Sequence, residues 1–410
     1  MERLIAVLGL IVFVGIAYLL SVNRKAILWR PVIWGLSLQL FFALLILKTP
    51  FGLAVFEWLG TIISQFLNFS DAGAAFVFGE NFTDFFFAFK VLPTIVFFSA
   101  FISVCYHYGL IQQFVRWLAL AMVKTMRTSG SETMTAAANI FVGQSEAPLL
   151  VAPYLPSATM SEIHAIMTSG FATVSGGVLA AFVSFGIPAE HLIAASVMSA
   201  PAALAISKIL YPETGPSPTA GLVKIDVTRE SVNGIDAAAR GALAGLRLAL
   251  NVGAMIIAFL GLLALVNAIL GWLGGFVGLE QLSLEFVFSY LLAPVAWLMG
   301  VPWADCAQVG ILLGKKTILN EFIAYLDLQA LIDNAANGDS DAVILSERAI
   351  VISTYALCGF SNIGSIGIQI GGIGSLVPER QSDLAQLGVR AMVGGTLACF
   401  MTAAIASILL

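Results

Sequence analysis

The stretch NIFVGQSEAPLL, Asn139 to Leu150, decides how this chain is read. It places an amide, a hydroxyl and a carboxylate side by side, Gln144, Ser145 and Glu146, and follows them with Pro148, inside strongly apolar sequence. Proline removes a backbone donor and breaks a helix, and an ionisable group at membrane depth is costly. Irregular backbone is tolerated there only where protein or a water-filled cavity satisfies its polar groups. The segment therefore predicts a helical hairpin whose polar tip faces a site.

The rest of the chain supports an apolar setting. Of 410 residues, 59% are hydrophobic and 10% charged, and the mean hydropathy is +0.96. This is a polytopic membrane protein, with the lipid bilayer as its surroundings and no nucleic acid as partner. The net charge of -5 says little, because so few charges exist that their placement outweighs their sum. Met1 to Val22 reads as a retained first span rather than a secretory signal, since its apolar run is long enough to cross and lacks a small-residue cleavage pattern. Cys105, Cys306, Cys358 and Cys399 show no C-x-x-C spacing and read as buried small hydrophobes. His107, His164 and His191 are isolated and read as satisfied interfacial residues.

Apolar segments of spanning length run over 3–22, 31–48, 85–106, 162–186, 191–210, 248–272, 284–300, 303–325 and 384–409. No alternating barrel pattern occurs, so the class is all-α. Arg24, Lys25 and Arg30 place the first loop in the cytoplasm and the N-terminus outside. Ile111 to Met126 carries Ile111, Phe114, Val115, Leu118 and Met122 on one face and predicts an interfacial helix. Phe51 to Phe69 fits either an amphipathic helix or a packed span. Pro212 to Arg240 and Asp333 to Asp341 read as water-exposed.

Two apolar segments are too broken to cross smoothly. Thr133 to Leu155 is interrupted by Gly143 to Pro148, and Ala349 to Leu376 by Gly359 to Ser365. Both read as hairpins whose tips meet. Each precedes a helix with the pattern G-G-x-L-A-x-F, and Gln144 to Gly176 spans the same 32 residues as Asn362 to Gly394. Paired interrupted segments in two halves of a hydrophobic chain point to a transporter built from structural repeats, with its site at their interface.

The polar residues near these breaks offer recognition rather than bond making. Gln144 supplies donor and acceptor, Ser145 a hydroxyl, Glu146 and Glu321 strong acceptors, Asn362 and Ser365 further capacity, and Phe360 an aromatic wall. Such a set suits a neutral, flat, polyhydroxylated ligand. Lys315 and Lys316 precede Glu321 by six and five residues, not the three or four that align side chains on a helix, which disfavours a local ion pair. Asn139, the carbonyl of Val142 and the hydroxyls of Ser145 and Thr173 are hard oxygen ligands suited to a small monovalent cation; the alternative is that Asn139 and Thr173 only tie helices together. A channel would need a continuous lined pore, and an enzyme built on Ser145 and Glu146 lacks a His or Lys partner. Neither competes with a transporter.

Four motifs carry a resemblance. Gly143 to Pro148, Lys208 to Thr214, Asn320 to Tyr325 and Ala356 to Asn362 continuing through Ile368 to Gly372 resemble the concentrative nucleoside transporter family in its bacterial form, in the right order along the chain. The resemblance implies a cation-coupled symporter that imports nucleosides such as uridine by alternating access. It implies about eight transmembrane helices, two re-entrant hairpins related by an inverted repeat, a homotrimer and the bacterial inner membrane. It assigns the nucleobase to Gln144, Ser145 and Glu146 with Val178, the ribose to Glu321, Asn362 and Ser365, and ligand packing to Phe360. It assigns Na+ to Asn139, Val142, Ser145, Thr173 and Val174, the valines through backbone carbonyls; a proton-coupled nucleoside or nucleobase transporter is the alternative. The expected division is 1–108 as scaffold helices, 109–210 as a first transport part with the interfacial helix and first hairpin, and 211–240 as a polar loop. Central helices including a scaffold helix occupy 241–300, and the second transport part with the second hairpin occupies 301–410.

Overall fold

A computed structural model describes residues 1–221, 231–276, 278–279, 281–337 and 343–410. The helices are α1 (Glu2–Leu19), α2 (Trp29–Lys48), α3 (Pro50–Leu67), α4 (Ser70–Phe78), α5 (Leu92–His107), α6 (Leu110–Met126), α7 (Gly130–Ala138), α8 (Met160–Ala172) and α9 (Gly176–Ser184). They continue as α10 (Ala189–Leu210), α11 (Gly234–Phe276), α12 (Leu284–Leu291), α13 (Ala293–Leu298), α14 (Trp303–Ile318), α15 (Glu321–Asn337), α16 (Glu347–Leu357), α17 (Ile363–Leu376) and α18 (Gln381–Leu409). Eight helical stretches among the described residues are long and apolar enough to cross a bilayer.

Two of the expected spans are not spans. Residues 284–300 form the short helices α12 and α13, and these meet α14 at a bend of 115° near Gly300 and Pro302. Gly300 takes a left-handed φ of 86°, and Pro302 cannot donate to a continuing helix. Pro50–Phe78, with α3 and α4, qualifies as a span instead.

The first expected hairpin is present. Ser129 and Glu132 form a capping box that starts α7. The chain then breaks at 139–146 and returns as the 3-10 segment Ala147–Ser157, which packs against α7. Pro148, Pro153 and Pro156 keep that return limb from becoming an α-helix.

The second hairpin lies elsewhere than the sequence reading placed it. α14 and α15 fold back on one another about Leu319 and Asn320, which brings Lys315 Nζ to 2.7 Å from Asp327 Oδ2 across the turn. α16 and α17 have no comparable packing along each other; they are two parts of a broken helix, interrupted at 358–362. α8 and α9 are likewise a broken helix, interrupted at 173–175. The repeat is thus hairpin, broken helix, long helix: α7 to α10 in the first half and α14 to α18 in the second. The 32-residue register pairs unlike elements, because Gly176 opens α9 whereas Gly394 lies inside the unbroken α18.

The core sits around these repeats. α8–α9 and α10 are 89% buried over their apolar windows, whereas α11, the most apolar of the candidate spans, is 11% buried. A long, strongly apolar helix that its own chain leaves largely uncovered fits a membrane setting. α11 packs mainly along α5. α1 packs on α18 and α2 on α10, where buried Gln39 donates to Met198 O at 3.2 Å and Thr402 Oγ1 at 2.9 Å. α6 is amphipathic as expected, but its buried face is Ile111, Val115, Ala119, Met122 and Met126 together with Gln112, while Phe114 is exposed. The buried Gln112 donates from Nε2 to Tyr106 O at 2.8 Å, while its Oε1 accepts nothing among the described residues.

The two stretches read as water-exposed are only partly so. Thr219 is buried, with its backbone carbonyl accepting from Gly130 N at 2.9 Å, and α11 already begins at Gly234. α15 runs to Asn337. The remaining parts, 222–230 and 338–342, lie outside the described residues.

Candidate functional site

Four interruptions meet in one place. The Phe141 carbonyl at the first hairpin tip accepts from Gly176 N at 3.0 Å, which joins the tip to the start of α9. The Thr173 carbonyl, in the break between α8 and α9, accepts from Phe360 N at 3.1 Å in the break between α16 and α17. The approach is close because position 359 is glycine: a Cβ there would fall 2.8 Å from the Phe171 carbonyl and 2.6 Å from Cys399 Sγ. Asn362 Nδ2 then reaches Glu321 Oε2, at the tip of the second hairpin, at 3.0 Å.

Local sequence explains why each helix restarts there. Ser175 caps α9 by accepting from Val178 N at 3.4 Å, Asn362 caps α17 by accepting from Ser365 N at 2.8 Å, and Asn320 accepts from Ile323 N at 3.0 Å in the first turn of α15. These are the short polar side chains that satisfy orphan N–H groups at a helix start. Each cap also frees a stretch of backbone just before it, in the protein interior.

The expected ligand residues divide into groups. Glu321, Asn362 and Ser365 form one buried cluster, with Asn362 serving both neighbours at once. Lys315 pairs with Asp327 and, at 3.3 Å, with Glu285, and Lys316 Nζ donates to Ala356 O at 2.8 Å, so neither bonds to Glu321, in keeping with the spacing argument. Gln144 is buried, and its Oε1 accepts from Gln369 Nε2 at 3.0 Å. Phe360 is half-buried and packs on the main core, of which Val178 is a buried member. Ser145 is half-buried in the tip.

Glu146 stands apart. It is exposed, its carboxylate accepts from Gly143 N within its own loop, and it borders a cavity of about 760 Å³ shared with Phe98, Ser175 and Arg247. Glu321 and Asn362 do not line that cavity.

Of the expected cation ligands, Asn139 and Thr173 meet through Ser169. Asn139 is 1% exposed; its Nδ2 donates to Ser169 Oγ at 3.0 Å, and its Oδ1 accepts nothing among the described residues. Thr173 and Val174 are buried in the adjacent break, where Thr173 Oγ1 is 3.4 Å from Ser169 O. The carbonyls of Val142 and Val174 receive no backbone hydrogen bond among the described residues. A buried amide oxygen without a donor is costly unless something electropositive lies near it. This set fits a small hard cation.

Gln369 and Ser169 were missed as site residues. Asn362, Ser365 and Gln369 are spaced by three and four, one face of a helix, and this periodicity is the signal that could have found Gln369.

Comparison with known proteins decides the family. Residues 191–407 match the model described as Na+ dependent nucleoside transporter C-terminus, residues 8–81 the corresponding N-terminus, and residues 88–189 a gate described as nucleoside recognition. The chain belongs to the Na+-dependent nucleoside transporter family. Within that family it is 48% identical to solute carrier family 28 member 3 of Eptatretus stoutii, over all of this chain and 61% of that protein. It is 46% identical to the human sodium/nucleoside cotransporter 1, again over all of this chain and 64% of that protein. It therefore spans about three fifths of the length of these curated relatives, which are transporters and not enzymes. Among solved structures, CNTnw in an inward-facing substrate-bound state is similar at 40% identity and a TM-score of 0.93, over 100% of this chain and 98% of that one. A doubly substituted CNTnw in an outward-facing state is similar at 39% identity and a TM-score of 0.94, over 100% and 99%.

Proposed function

We propose that this chain is a Na+-coupled nucleoside symporter that works by alternating access, as a homotrimer in the bacterial inner membrane. The observation that carries the reading is the buried Glu321–Asn362–Ser365 cluster at the junction of four backbone interruptions, together with the unpartnered Asn139 Oδ1. Glu321 offers strong acceptors for ribose hydroxyls, held in place by Asn362, and Ser365 adds a hydroxyl on the same face of α17. Gln144 and Ser145 address the base, with Val178 and Phe360 as apolar walls and Glu146 joining from the tip when the adjacent cavity closes. Asn139, Ser145 and Thr173, with the carbonyls of Val142 and Val174, hold the sodium ion, which when bound supplies the positive charge that these oxygens lack. Their own role is to keep the first hairpin tip and the α8–α9 break in register, so that Gln144 stays aimed at the ligand.

The moving body consists of the two hairpins, the broken helices, α10 and α18. The helices within 1–108, of which α1 and α2 pack on α18 and α10, form with α11 the scaffold against which it moves; α5 and α11 pack on each other. CNTnw has been captured in both outward-facing and inward-facing states, which supports the same cycle for this chain. The resemblance to the bacterial form of the family supports the inner membrane and the trimer.

Reconstitution into proteoliposomes tests the reading. Labelled uridine should accumulate saturably with an inward sodium gradient at fixed pH. Equal uptake with choline in place of sodium would remove the coupling claim, and a monomeric mass in mild detergent would remove the trimer.

A further inference from the structure

Gln369 lies in the middle of α17, fully buried, in a run of glycine and isoleucine. Its Nε2 is 3.1 Å from the Met167 carbonyl and 3.0 Å from Gln144 Oε1, so both hydrogens of one nitrogen are used. A backbone carbonyl only accepts, so the Met167 contact fixes which end of the Gln369 amide faces α8. The opposite amide orientation would set oxygen against oxygen at Met167. With Gln369 fixed, Gln144 must turn its Oε1 toward it, which leaves the Gln144 Nε2 pointing away from this contact. Room for the two amides exists because position 170 is glycine: a Cβ there would lie 2.7 Å from Gln369 Nε2 and 2.9 Å from Gln144 Cβ.

We propose that Gln369 is a positioning residue for base selectivity: by occupying the Gln144 carbonyl it makes the Gln144 N–H group the hairpin's reading element, which selects a nucleobase edge bearing a hydrogen-bond acceptor. Gln369 acts through Gln144 and touches no ligand itself. The inference rests on the nucleoside-symport reading. A buried donor left facing an edge without an acceptor is penalised more than a missing contact at a surface, so selectivity is where the effect is concentrated.

The test is competition against labelled uridine uptake in proteoliposomes. The competitors are zebularine, which lacks the 4-oxo group, and the 4-pyrimidinone ribonucleoside, which lacks the 2-oxo group. In the unaltered protein one of the two should compete about tenfold more weakly than uridine. Gln369→Leu unlatches Gln144, so that difference should shrink toward unity with a rise in uridine KM more than a fall in maximal rate. Gln369→Glu, protonated in this buried position, has one hydrogen for two acceptors. Gln144 then turns its N–H toward the new carboxyl and offers its carbonyl to the ligand, so cytidine, with a 4-amino donor, should gain on uridine about tenfold. Gly170→Ala crowds the same two amides and should move the ratios in the direction of Gln369→Leu.

Equal competition by both analogues in the unaltered protein overturns the inference, even where a variant fails to fold. So do unchanged selectivity ratios in Gln369→Leu and Gln369→Glu proteins that still take up uridine. Absence of any uridine uptake by the unaltered protein overturns the transport reading and this inference with it, a result distinct from uptake with unchanged ratios.

Discussion

The two hairpins solve the same problem with different amounts of irregular backbone. At the first tip, residues 139–146 all lie between α7 and the 3-10 return limb; at the second, only Leu319 and Asn320 separate α14 from α15. The long tip frees backbone carbonyls and leaves Asn139 Oδ1 without a donor, which suits a cation. The short tip frees almost no backbone and instead presents one carboxylate, Glu321, steadied by Asn362. The broken helices differ in parallel: Ser175 only caps α9, at 3.4 Å, whereas Asn362 caps α17 and holds Glu321. The duplicated frame thus presents loosened backbone and an unpartnered amide oxygen at one tip and a single carboxyl group at the other.

The comparison breaks most visibly at Glu321. Glu321→Gln exchanges one carboxyl oxygen for an amide donor in a buried site and should raise uridine KM about 100-fold; a change within twofold would show that the Glu321 side chain does not meet the ligand. Asn362→Ala should cost almost as much, about 30-fold, because it frees the carboxylate and uncaps α17 together. The first unit should respond in a different variable. Asn139→Ala is expected to raise the sodium concentration for half-maximal uptake about tenfold while uridine KM at saturating sodium moves far less. Equal shifts in both constants would mean that the two units are not specialised. The smallest effect belongs to Ser175→Ala, the bare cap: a melting temperature lower by about 2 °C with uridine KM changed by less than about twofold. A loss of uptake as large as that of Asn362→Ala would give Ser175 a role in binding.

Much of this division could be read from the chain, and its failures are instructive. The apolar runs and the breaks at Gly143 and Gly359 stand out because glycine, proline and polar residues interrupt long hydrocarbon-compatible segments. The second true hairpin did not stand out: Leu319 and Asn320 contain neither glycine nor proline, and the turn depends on one asparagine side chain accepting from Ile323 N. Conversely, the break at 358–362 looks like a hairpin tip because an interrupted helix has the same composition whether the chain turns back or continues. Only packing of the two limbs separates the cases: α14 lies along α15, and α16 does not lie along α17.

Sequence alone determined the all-helical membrane class, the two halves, and the residues carrying acceptors and hard oxygens, since these follow from burial cost and side-chain chemistry that each residue brings with it. Tertiary structure alone decided that Glu146 borders a cavity that Glu321 and Asn362 do not line, and that Gln369 bonds to Gln144 and Ser169 to Asn139. The orientation of an amide or carboxylate is fixed by its hydrogen-bond partners, and here those partners lie up to 225 residues away in the chain.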